Sequence, residues 1–254
     1  MEEIREKLQA ARLLPVGEAA VLVSFAEKID PAVHHAVRAF AAKLAEKPFP
    51  GMIEYVEAFT GVTVFYDPFQ VRQELKAEAD PAESYGFQAV SEYLQHLLTE
   101  IEGSDSDEPC CVRIPVCYGG EYGPDLEDVA ACHDMTPEEV IRQHMSGDYL
   151  VYMIGFAPGF PYVGGLPECI ATPRRKSPRI AIPKGSVGIA GSQTGVYPLE
   201  TPGGWQLIGR TPLALFRPEN TEEPSLLRAG DKLEFYAITA EEYAAIEARG
   251  GAEA

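Results

Sequence analysis

The chain has 254 residues, 46% of them apolar and 24% charged, and its 21 cationic against 39 acidic side chains give a formal net charge of −18. That composition is ordinary for a globular protein, and the length favours two modest cores over one large one. The acidity opposes nucleic acid as a general partner, because phosphates would be repelled. No apolar run approaches the roughly 20 residues that span a bilayer, so no membrane role is expected.

Met1 to Gln9 is a charged stretch rather than the apolar centre of a secretion signal. Residues 18–25 (EAAVLVSF) predict a strand. Asp30-Pro31 supplies an N-cap followed by proline at the first helical position, and Val33, Val37, Phe40 and Leu44 recur at helical spacing, so 31–46 reads as an amphipathic helix. Two strands follow at 53–58 and 61–66, the second alternating Val62, Val64 and Tyr66 against Thr63 and Phe65. Residues 82–102 carry Phe87, Val90, Leu94, Leu97 and Ile101 at helical spacing. The order β-α-β-β-α predicts an α+β domain over 1–103, with helices on one face of an antiparallel sheet.

EGSDSDEP at 102–109 is acidic and ends in proline, which marks a linker and puts the domain boundary at 103–109. The second domain, 110–254, opens with a strand at 110–117, a GGEYGPD turn and two short helices. Thr136-Pro137-Glu138-Glu139 forms a capping box on the second of these. Tyr149 to Ile154 and Asp231 to Ile238 read as strands, and Thr239 to Glu242 caps a terminal helix ending at Gly250. Between Gly155 and Pro212 lie 11 of the 23 glycines and 9 of the 21 prolines, interleaved with Phe156, Phe160, Tyr162, Tyr197 and Trp205. Such punctuation predicts short strands and prescribed turns, hence a mostly-β domain closing into a barrel.

The five cysteines lack any C-x-x-C and read as reduced thiols of a cytoplasmic protein. His34, His35, His96, His133 and His144 lie on or near predicted helices and read as solvated. No Cys, His and carboxylate set has metal-ligand spacing, and neither a phosphate-binding glycine loop nor a nucleophile elbow occurs. What remains is a cationic island in an acidic chain. Residues 101–150 hold twelve acidic side chains, whereas 168–210 place Arg174, Arg175, Lys176, Arg179, Lys184 and Arg210 against Glu168 and Glu200. Arg174, Arg175 and Arg179 suit bidentate grip on a carboxylate or phosphoryl group, with Lys184 as a point charge. Gln193 and Thr194 add donors, and Phe160, Tyr162, Tyr197 and Trp205 add walls. Two readings stand open: a substrate site, or salt bridges to the chain's own carboxylates and an aromatic core.

The run GFAPGFPYVGGLPECIATPRRKSPRIAIPKGSVGIAGSQTGVYPLETPGGWQLIGRTPLALF resembles the signature of the PxpB/KipI family, also called allophanate hydrolase subunit 1 or carboxyltransferase C-subunit-like. PVCYGGEYGPDLEDVA, LPVGEAAVLVSF and VFYDP match that family too. The resemblance implies an α+β N-terminal domain followed by a cyclophilin-like β-barrel. It also implies a B subunit of ATP-dependent 5-oxoprolinase, a cyclic amide hydrolase turning 5-oxo-L-proline into L-glutamate. Its partners would be a C subunit (allophanate hydrolase subunit 2-like) and an A subunit (LamB/YcsF-like). ATP, with or without Mg2+, would be bound jointly with a partner. The family equally admits an inhibitor of a sporulation histidine kinase and a urea or allophanate pathway carboxyltransferase-like subunit.

Overall fold

The computed structural model describes residues 2–75, 85–101 and 110–250, and the expected linker at 102–109 lies outside them. The chain divides into two compact units, Met1–Glu108 and Pro109–Ala254.

In the first unit, α1 (Glu2–Gln9) precedes β1 (Arg12–Pro15), β2 (Ala20–Ser24), α2 (Pro31–Glu46), β3 (Met52–Glu57), β4 (Gly61–Tyr66), α3 (Pro68–Glu74) and α4 (Tyr85–Thr99). The sheet is antiparallel in the order β1-β2-β4-β3. Val21, Val23, Val62, Val64 and Tyr66 turn one face of it onto Val33, Val37, Phe40 and Leu44 of α2 and Val90, Leu94 and Leu97 of α4. Each stripe follows the period of its element. The Asp30 carboxylate accepts from Ala32 N at 2.7 Å, ahead of Pro31, so α2 begins where the cap demands. Three elements go beyond what the sequence predicts. α1 is short and polar, α3 is started by the Asp67 carboxylate capping Phe69 N and Gln70 N, and β1 is held by pairing with β2. Of the expected helix at 82–102, residues 82–84 and 102 lie outside the described residues, and α4 ends at Thr99, short of Ile101.

The second unit contains β5 (Cys111–Tyr118), α5 (Leu126–Cys132), α6 (Pro137–Met145), β6 (Tyr149–Ile154) and β7 (Pro161–Gly164). β8 (Arg179–Ile182), β9 (Ser186–Ala190), β10 (Gln193–Val196), β11 (Thr201–Gly203), β12 (Gln206–Arg210), β13 (Lys232–Ala237) and α7 (Ala240–Ala248) complete it. Seven strands close a barrel in the order β10-β7-β6-β13-β5-β12-β9, with β5 and β13 parallel and the other pairs antiparallel. The α+β unit followed by a barrel unit is the fold that the resemblance implies. Val116, Val151, Val163, Val187, Ile189, Val196, Ile208 and Phe235 fill the barrel, supplied by alternate positions of each strand. β8 and β11 form a separate two-stranded sheet.

Two histidine readings are overturned. His34 and His144 are buried, not solvated. The Thr194 hydroxyl donates to Gly188 O at 3.0 Å, so its oxygen accepts from His144 Nε2 at 3.0 Å and the imidazole Nδ1 is left to accept from Tyr118 OH at 2.8 Å. Burial lowers the pKa of His144 to about 3, so the ring is neutral. The cysteines are free. Cys117 is buried, whereas Cys110 and Cys111 are exposed, so the opening of β5 does not use its thiols as core.

Candidate functional site

The GGEYGPD turn lies along β12. Gly119 N donates to Ile208 O at 3.1 Å and Asp125 N to Leu207 O at 2.9 Å. Gly123 makes this approach possible, since a Cβ there would sit 2.1 Å from Ile208 O. Asp125 precedes α5 in the usual place of an N-cap, yet its side chain makes no cap hydrogen bond. It turns inward instead. Oδ2 accepts from Leu207 N at 2.7 Å and Arg179 Nη1 at 2.8 Å, and Oδ1 accepts from Arg179 Nη2 at 2.7 Å and Arg175 Nη1 at 2.6 Å. The carboxylate is 2% exposed, and its two guanidinium partners are 33% and 25% exposed. A buried acid with four donors, three of them cationic, is fully satisfied.

The cationic island is therefore divided. Arg175 and Arg179 make the salt-bridge reading true, with a buried carboxylate rather than a surface one. Arg174 is exposed and makes no ion pair among the described residues, and the same holds for Lys184. Arg210 stands apart from that cluster, its guanidinium 5.6 Å from the centre of the Tyr122 ring. Thr194 is committed to the barrel interior through His144 and Gly188 and is no surface donor, which corrects the expectation for it. Gln193 is half-buried beside the Gly191-Ser192 turn that joins β9 to β10.

The four aromatic candidates do come together. Phe160 packs edge-on against Tyr162, Tyr197 and Trp205, at centroid distances of 5.2, 5.4 and 5.7 Å. With Ile182, Ala190 and Leu207 they make a small core outside the barrel. Trp205 fits because Gly188 and Gly195 lie beneath it: added Cβ atoms would meet its Cβ at 3.1 Å and its Cζ3 at 3.0 Å. Of the two expected uses of these rings, the core use is the one this cluster shows. Burial pushes the Tyr197 phenol up to about 12, against the opposing pull of the Arg174 charge and the Trp205 backbone N–H. Tyr197 is a neutral phenol at ordinary pH, accepting from that N–H and retaining its own proton to donate.

Exposed Arg174 can hold a carboxylate, whereas Phe160, Tyr197 and Trp205 are buried in their own cluster. Sequence reasoning missed Asp125, which lies inside the quoted PVCYGGEYGPDLEDVA motif but outside the glycine-rich span. The aspartate before a predicted helix was a signal, though one that ordinarily means a cap.

Residues 11–227 match the family described as carboxyltransferase domain, subdomain C and D. The chain is 52% identical over 228 residues to the B subunit of 5-oxoprolinase from Bacillus subtilis, spanning 90% of this chain and 93% of that protein. The chain belongs to the PxpB family. Proteins of the same description in Haemophilus influenzae and Escherichia coli O157:H7 are 43% and 42% identical over 88% and 90% of the chain, and 96% of each of those proteins is matched. Among solved structures, TTHA0988 superimposes with a TM-score of 0.72 at 31% identity, covering 87% of this chain and 40% of that longer one. The urea amidolyase of K. lactis, at TM-score 0.73, is 20% identical over 94% of this chain and 15% of its own, and shares the fold alone. No helix among the described residues is long and apolar enough to cross a membrane.

Proposed function

We propose that the chain is the B subunit of an ATP-dependent 5-oxoprolinase complex, opening 5-oxo-L-proline to L-glutamate together with an A and a C subunit. What carries this reading is the 52% identity to the Bacillus subtilis protein of that description across 90% of the chain. The chemistry of the site agrees with it. A lactam is a poor electrophile, and transfer of the γ-phosphoryl group to its carbonyl oxygen, with release of ADP, prepares the ring carbon for water. Water adds to that carbon and the C–N bond breaks as the ring nitrogen takes up a proton, giving the acyl phosphate. A second water hydrolyses this to the carboxylate and phosphate. Such a step asks for charge and oriented donors rather than a nucleophile. In this reading Arg174 holds the substrate carboxylate, while Tyr197, 2% exposed, stays within the aromatic core. The Asp125–Arg175–Arg179 group fixes the backbone from which Arg174 projects, since Arg175 N also donates to Gly204 O at 2.7 Å. ATP, with or without Mg2+, is shared with the C subunit, and the A subunit completes hydrolysis.

The test is reconstitution. Glutamate formation from 5-oxo-L-proline and ATP should be negligible for the purified chain and appear on addition of both partner subunits. Substrate-dependent ADP release by the chain alone at rates near those of the mixture would count against a shared site. No turnover by the mixture would return the protein to a binding role such as kinase inhibition.

A further inference from the structure

β6 and β7 are joined through Gly155, Phe156, Ala157, Pro158, Gly159 and Phe160. Within this loop Ala157 N donates to Gly155 O at 2.8 Å, and the residue between them, Phe156, has φ +69°. A hydrogen bond between residues two apart around a positive φ is the rarer and strained of the two γ-turns. A side chain at that φ is disfavoured by contact between Cβ and the backbone, and glycine would adopt it freely. Gly155 N to Phe160 O and Phe160 N to Ala157 O, both 3.0 Å, hold the loop shut around the turn.

The strain brings no burial. Phe156 is 67% exposed. It rests edge-on against Phe160 at 5.5 Å, continuing the cluster of Tyr162, Tyr197 and Trp205 to the surface. Its chain neighbours are glycine, alanine and proline, too small to cover it. A strained backbone whose product is a bare aromatic face points to a ligand for that face.

We propose that Phe156 is a substrate-contacting residue whose free face stacks on the planar lactam ring of 5-oxo-L-proline; this rests on the function proposed above. A small planar amide with one negative charge asks for a π-face and a cation, and the charge of exposed Arg174 acts on Tyr197 of the aromatic cluster. A protein partner docking on the ring would ordinarily use a broader apolar surface than one side chain among small ones.

Phe156→Gly and Phe156→Ala separate strain from contact, both measured in the complex with its partners. Each removes the ring, so each should raise KM for 5-oxo-L-proline about 3- to 10-fold with kcat nearly unchanged, because stacking binds ground and transition states alike. Phe156→Tyr should keep KM within about twofold of the native chain. Phe156→Gly should melt roughly 2–4 °C above Phe156→Ala, reporting the relieved backbone. Equal melting temperatures would remove the argument from strain. Turnover with native KM in both variants would overturn the proposal, as would a rise in KM for ATP instead. Weakened assembly of the complex with native KM would overturn it in favour of docking. Absence of turnover by the native complex would defeat the functional reading itself.

Discussion

Asp125→Asn tests the centre of the barrel unit's polar architecture. The substitution keeps the shape of the side chain but leaves Arg175 and Arg179 facing each other without their anion, and it aims an amide N–H₂ at donors. Removing one partner of a fully buried ion pair costs about 3–5 kcal/mol. Here the cations are 33% and 25% exposed and recover part of their hydration, so about 2–3 kcal/mol is the working figure. For a domain of this size that lowers the melting temperature by roughly 5–10 °C. Trp205 is the chain's single tryptophan and lies in the barrel unit, so thermal melts followed by its fluorescence report this unit and not the other. Arg179→Lys should lose more than Arg175→Lys, because Arg179 donates both nitrogens of its fork and Arg175 only one. A midpoint for Asp125→Asn within about 1 °C of the native chain, where several kcal/mol are expected, would refute the reasoning.

Gly195→Ala drives a methyl group to 3.0 Å from Trp205 Cζ3 and 3.1 Å from Pro161 O, and should cost about 1–3 kcal/mol with a red shift of Trp205 emission; native emission and melting would contradict that packing. Four cysteines are exposed and Cys117 is buried, with its thiol pKa raised by burial, so a thiol reagent should modify four rapidly and the fifth only on unfolding. Replacing all five by Ser or Ala should leave turnover in the complex intact, and inactivation by one folded single mutant would defeat that expectation. Burial also lowers His144 to about 3 and, with the charges of Arg38 and His35, His34 to about 4. Because these folded-state values lie below the unfolded value near 6.5, the unfolded chain takes up the protons first as pH falls. Stability from His144 is therefore full above about pH 6.5 and declines toward pH 3, by about 2 kcal/mol at pH 5. Urea midpoints followed through Trp205 should fall between pH 7 and pH 5, and equal midpoints would exclude a neutral buried imidazole.

Most of the regular elements were legible because their signals are local. The Asp30-Pro31 start of α2, the apolar stripe from Val33 to Leu44 and the Thr136 and Thr239 capping boxes each depend on residues within a turn or two. β1 was not legible, because a four-residue strand with only one half-buried position carries no alternation to read, and only pairing with β2 makes it a strand. His144 was misread for a similar reason. Its place on a helix was correct, but the hydroxyls that satisfy it come from Tyr118 and Thr194, 26 and 50 residues away. The arginine island was visible as a charge excess, yet its division into paired and unpaired members depended on Asp125, about 50 residues upstream. Composition can place cations near one another; only the fold decides which of them already has a counter-ion.

That division leads to the most direct measurement. In the assembled complex Arg174→Gln should lower kcat/KM for 5-oxo-L-proline by about 10²–10³, the usual loss for one oriented charged donor, and leave the melting temperature unchanged, because its guanidinium has no ion pair to lose. Native turnover by Arg174→Gln, or a fall in activity matched by a fall in melting temperature, would contradict the assignment of Arg174 to the substrate and of its two neighbours to the frame.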